Sequence, residues 1–198
     1  MHRGPLQRTS PRGLSGITVP DRSLVHIDHQ VPTTGRCETL RLYTDGGSRG
    51  NPGPAGAAFI ITDQNGSILR KNAKTLGRAT NNEAEYIALI RGLAACAKLG
   101  SGTVHCTSDS TLVVRQMTGK FRVREPRLRV LHEEAQARAQ PFRRVTYVQN
   151  SRSSRMIAAA DKLVNEVLDA LDRQRSKAAG SRAGARRTRK VGSKLNSS

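Results

Sequence analysis

The stretch Leu40–Gly56, LRLYTDGGSRGNPGPAG, constrains this chain more than any other. Leu40, Leu42 and Thr44 alternate with Arg41 and Tyr43 at the period of two that marks a pleated strand. Asp45 comes next, followed by a run of Gly, Ser, Arg, Asn and Pro. That composition predicts that the strand ends at Asp45 and that regular structure is lost behind it. A second apolar run resumes at Ala57. The expectation is an acid pinned at a strand tip, beside a tight turn whose backbone a ligand can approach closely.

The rest of the chain reads in order from there. Strand one covers Glu38–Thr44 and strand two Ala55–Thr62; Asp63-Gln64-Asn65-Gly66 is a hairpin turn, and Ser67–Leu76 a third antiparallel strand. From Asn81 the period becomes helical, with Thr80 or Asn81 as N-cap and Tyr86, Leu89, Ile90, Leu93, Ala94 and Ala97 on one face. Gly100 and Gly102 stop that helix. Thr103–Ser108 is a short buried strand ending in Asp109, and Thr111–Met117 a short helix. A basic connector, Gly119–Arg124, leads to a helix begun by Pro126, a strand at Arg143–Val148, a polar loop at Gln149–Arg155 and a helix at Met156–Leu171. The order βββ-α-β-α-α-β-α predicts an α/β fold. Its sheet is mixed and five-stranded, three antiparallel strands followed by two parallel ones reached through helical crossovers.

Charge divides the chain. The net charge is +19, and residues 173–198 hold nine Lys and Arg without a single acid. All six aromatics lie between residues 43 and 147. We therefore expect a disordered leader at 1–37, one domain at 38–172 and a disordered basic tail at 173–198. Cys37, Cys96 and Cys106 are odd in number and fit no metal-ligand spacing, so Cys96 and Cys106 read as buried small hydrophobes of a reducing compartment. No apolar run approaches the ~18 residues that cross a membrane. A monomer in the cytoplasm is the expectation.

Four acids stand at element ends or interrupt apolar stretches: Asp45, Glu85, Asp109 and Asp161. If strands one and four are parallel neighbours, Asp45 and Asp109 emerge side by side at the carboxyl edge, where open α/β sheets bind ligands. Four clustered carboxylates repel unless a cation lies between them, and an all-oxygen set suits Mg²⁺ or Mn²⁺. Spacing alone leaves plainer alternatives open. Asp109 has the setting of a helix cap, Glu85 that of a partner for the helix dipole, and Asp161 that of a solvated surface position.

TDGGSRGNPGPAG, TNNEAEY, SDS and AD followed by LVN, in this order and spacing, closely resemble the type 1 ribonuclease H family. The likeness runs from about Arg41 to Leu168. GKFRVREPRLRVLHEEA is similar to the variant that lacks an extended basic protrusion. The resemblance implies a ribonuclease H-like fold and hydrolysis of the RNA strand of RNA–DNA hybrids, leaving 5′-phosphate and 3′-hydroxyl ends. It implies two divalent cations, Mg²⁺ or Mn²⁺, on Asp45, Glu85, Asp109 and Asp161. It also implies RNA-strand contacts at Asn51, Asn81 and Asn82, whose amides suit a 2′-hydroxyl. Many members carry a His in the loop before the last helix; here Ser151–Arg155 offers none, which bears on turnover and pH dependence more than on reaction class.

Two basic features remain. Lys120 and Arg122 alternate with Phe121 and Val123, a pattern suited to following the phosphates of the DNA strand. The tail is expected to attract nucleic acid without sequence preference. The alternative to an enzyme is a hybrid- or RNA-binding module that keeps the fold with weak catalysis or none.

Overall fold

Leu40 and Leu42 are fully buried, and the strand that carries them is the centre of the sheet. A computed structural model describes residues 39–150 and 154–192. The leader, Cys37 and residues 193–198 lie outside the described residues. β1 (Thr39–Ser48), β2 (Gly53–Thr62) and β3 (Ile68–Ala79) form an antiparallel meander. α1 (Asn81–Lys98) crosses to β4 (Thr103–Ser108), parallel to β1. α2 (Thr111–Met117) and α3 (Pro126–Ala139) lead to β5 (Arg144–Gln149), parallel to β4, and α4 (Arg155–Gly192) follows. The strand order β3-β2-β1-β4-β5 is the mixed sheet expected from the sequence.

Alternation along β1 and β2 sends side chains into two layers. Leu40, Leu42, Phe59 and Ile61 pack with Tyr86, Leu89 and Leu93 of α1 and with Leu128 and Ala135 of α3. On the other face Ala58 packs with Val164 and Leu168 of α4. Cys96 and Cys106 are buried free thiols; burial pushes Cys96 up to about 12 and Cys106 well above its ordinary value, so both act as small hydrophobes.

Two expectations need correction. β1 does not end at Asp45: it runs to Ser48, with Gly46 paired to Ala57 and Gly47 to Gly56, and only residues 49–52 are left as a turn. The glycines serve close packing. A Cβ on Gly46 would stand 2.3 Å from the backbone of both Ala84 and Glu85. The second correction concerns the end of the last helix, since α4 continues beyond Leu171 to Gly192. The added segment is free of Pro and rich in Ala, Arg and Lys, which favour a helix, with Gly180, Gly184 and Gly192 as its weak formers.

Candidate active site

Asp45 sits inside β1, opposite Ala58 of β2. Paired residues share a face, and Ala58 packs on Val164, so Asp45 lies on the α4 side of the sheet. Glu85 arrives from α1, which covers the other side. The passage is the space left by Gly46, where the backbone at Ala84 and Glu85 comes against β1. Asp109 follows β4, whose register with β1 ends at Thr44 opposite Ser108, so Asp45 and Asp109 are the next residues of two parallel neighbours.

One carboxylate oxygen from each of Asp45, Glu85 and Asp109 lies within 4.8 Å of the others. Asp45 is 2% exposed and Glu85 5%. Carboxylates so close and so dry repel, and a divalent cation is the simplest counter-charge. The set is all oxygen, which fits Mg²⁺ or Mn²⁺. Asp161 is not in this group of three. It stands on α4 one turn before Val164, on the same side of the sheet as Asp45, and Asn165 Nδ2 donates to its Oδ2 at 3.2 Å.

The local alternatives for two acids are resolved by their neighbours. Ser110, not Asp109, caps α2, its hydroxyl accepting from the Val113 amide at 3.4 Å. Thr80 caps α1 in a reciprocal capping box with Glu83, whose carboxylate takes the Thr80 amide at 2.7 Å. Glu85 therefore lies beyond the first turn and has no capping duty. Nor do Asn81 and Asn82, which are exposed at the first two helical positions.

The candidate RNA-side amides meet at one place. Asn51, in the turn between β1 and β2, accepts from the Asn81 backbone amide at 3.2 Å, joining that turn to the start of α1. Lys120 and Arg122 lie elsewhere, on the exposed connector between α2 and α3. That connector is anchored through Gln116, a buried residue whose importance the sequence does not signal. Gln116 Oε1 accepts from the Tyr86 hydroxyl at 2.8 Å, and its Nε2 donates to the Arg122 carbonyl at 3.4 Å. Burial raises Tyr86 well above the ordinary tyrosine range, keeping that hydroxyl a donor. Arg115 stacks over Phe121 at 5.0 Å from the ring centre. Of the loop before α4, residues 151–153 lie outside the described residues; α4 opens at Arg155.

A second group of residues was not foreseen. Arg49, in the same turn as Asn51, makes ion pairs with both Asp169 and Asp172 of α4. More than a hundred positions separate the partners, and no short motif signals such a pairing.

A family model described as Reverse transcriptase-like matches residues 43–167. A bifunctional protein of Mycobacterium tuberculosis, Rv2228c, is 46% identical over 130 residues, which cover 65% of this chain and 35% of that protein. The chain thus spans about a third of the length of this relative. Ribonuclease HI of Halobacterium salinarum is 36% identical over 166 residues, covering 83% of this chain and 74% of the relative. Among solved structures, LC11-RNase H1 in complex with an RNA/DNA hybrid superposes with a TM-score of 0.63 at 39% identity, covering 67% of this chain and 98% of that one.

Proposed function

The chain belongs to the type 1 ribonuclease H family, and from that premise we propose that it hydrolyses the RNA strand of RNA–DNA hybrids. The observation that carries the reading is the convergence of three carboxylate oxygens within 4.8 Å, from elements far apart in sequence. Asp45, Glu85, Asp109 and Asp161 are the residues that would hold two divalent cations, Mg²⁺ or Mn²⁺. Such ions supply an activated water, charge neutralisation at the scissile phosphate and stabilisation of the leaving 3′ oxygen, which gives 5′-phosphate and 3′-hydroxyl ends. The solved complex of a relative with an RNA/DNA hybrid supports the substrate class.

The chain's own groups account for selectivity. Asn51, Asn81 and Asn82 present amides able to donate to or accept from a 2′-hydroxyl, the group that separates RNA from DNA. Lys120 and Arg122 serve the phosphates of the DNA strand as exposed, sequence-blind cations. The basic stretch after Asp172 adds a salt-sensitive attraction to nucleic acid. Among the described residues no helix is long and apolar enough to cross a membrane. We read the protein as a monomer acting in the cytoplasm.

A labelled hybrid incubated with Mg²⁺ or Mn²⁺ tests the proposal. Wild type should cut the RNA strand, and Asp45→Asn should lower the rate about a thousandfold or more while the protein stays folded. That corresponds to the several kcal/mol of charge stabilisation a metal centre provides. The absence of His from Ser151–Arg155 favours one other reading, a binding module with weak or no catalysis. Hybrid binding without cutting in either metal, unchanged by Asp45→Asn, would establish that reading instead.

A further inference from the structure

The turn 49–52 joins two neighbouring strands, and its backbone has little freedom. The Arg49 amide donates to the Pro54 carbonyl at 2.7 Å, and a Cβ on Gly53 would stand 2.0 Å from the Arg49 carbonyl oxygen. What sets this turn against the two helical layers is a pair of side-chain ties. Asn51 holds the first residue of α1. Arg49 holds α4, giving one guanidinium nitrogen to Asp169 and the other to Asp172.

Three features make the second tie more than a chance surface contact. Asp169 and Asp172 stand at i and i+3, on one side of their helix, and receive the two arms of a planar fork that lysine cannot reproduce. Asp169 has Arg173 one turn away on its own helix, yet its ion pair is with Arg49. The tie also joins the elements that matter: the turn carries Asn51, and α4 carries Asp161. The side chains are 38%, 51% and 44% exposed, so their contribution to global stability is small and their value is geometric.

We propose that Arg49 is a positioning residue for hybrid binding, acting through Asp169 and Asp172 to fix the Asn51 turn against α4. The proposal rests on the functional reading above. Its rival is that Arg49 grips a phosphate of the hybrid directly, with the two aspartates holding it in waiting.

The full chain, cutting a labelled hybrid, separates the two. Arg49→Gln and the double variant Asp169→Asn with Asp172→Asn should each raise KM about three- to tenfold, with kcat within about twofold of wild type. Combining all three changes should be no worse than either set alone, because one unit has been removed twice. Arg49→Lys should restore only part of the loss. Native-state hydrogen exchange should show faster exchange at residues 49–51 in both variants, with core amides of β1 unchanged. If Arg49→Gln raises KM while the aspartate variant leaves it unchanged or lowers it, Arg49 binds substrate directly and the proposal is overturned. It is equally overturned if neither variant moves KM. Should wild type cut nothing, the functional reading falls, and exchange alone decides the tie: faster in both variants upholds it, unchanged overturns it.

Discussion

The turn after β1 and the connector after α2 both hold residues assigned to nucleic acid, and they are built by opposite means. The turn is locked by tight backbone packing and by two side-chain ties. Gly53 leaves no room for a Cβ, Asn51 is bonded to α1, and Arg49 is bonded to α4. Lys120, Phe121 and Arg122 of the connector are exposed, and its ties include a long 3.4 Å bond from Gln116, the Phe121 amide on the Arg115 carbonyl and the Gly119 amide on the Gln116 carbonyl at 3.0 Å each, a cation over an aromatic ring and the packing of Val123 on the core. The difference fits the roles proposed for each. A ribose hydroxyl and a scissile phosphate demand placement to a fraction of an ångström, whereas a duplex backbone demands positive charge over a broad surface.

The contrast breaks most completely at Gly46. Alanine there would put its methyl 2.3 Å from two backbone atoms of α1, and no side-chain rotation relieves a backbone clash. Gly46→Ala should abolish cleavage and lower the melting temperature sharply, read by activity and thermal unfolding on the same sample. Survival of both would mean that the α1–β1 approach is looser than drawn. A smaller effect is expected at the start of α1. Thr80→Ala removes the capping hydroxyl and should cost about 1 kcal/mol in denaturant unfolding, with a partial loss of activity because Glu85 rides on that helix. The smallest effect on chemistry belongs to the connector. Lys120→Ala with Arg122→Ala should leave kcat unchanged, weaken hybrid binding several-fold, and flatten the slope of log affinity against log salt by about one to two units. A large fall in kcat instead would place the connector in the locked class with the turn.

How much of this was legible in the sequence differs between the same two kinds of region. Asp45, Glu85 and Asp109, which the fold brings together, were readable because each lies in a motif of its own, and the element order followed from where the period changes from two to 3.6. The end of β1 was misjudged because glycine carries two meanings. It is a breaker where the chain turns, but at Gly46 it lets a helix backbone touch a strand, and only the partner element decides which. The continuation of α4 was missed for a different reason. An apolar stripe is the sequence mark of a helix packed on a core, and residues 173–192 have none. The Arg49 tie lay beyond reach because surface ion pairs between distant segments leave no periodic trace.

The parallel pairing of β1 with β4 joins residue 39 to residue 103, with the meander and α1 lying between them in sequence. Non-local contacts of this kind are slow to form, because the intervening chain must be ordered before they are rewarded. Asp45 and Asp109 become neighbours only through that pairing, and Glu85 joins them only once α1 lies against Gly46. On the proposed function, a chain still emerging or half folded would hold these acids apart, and cutting would await completed folding; the topology itself would guard against premature cutting.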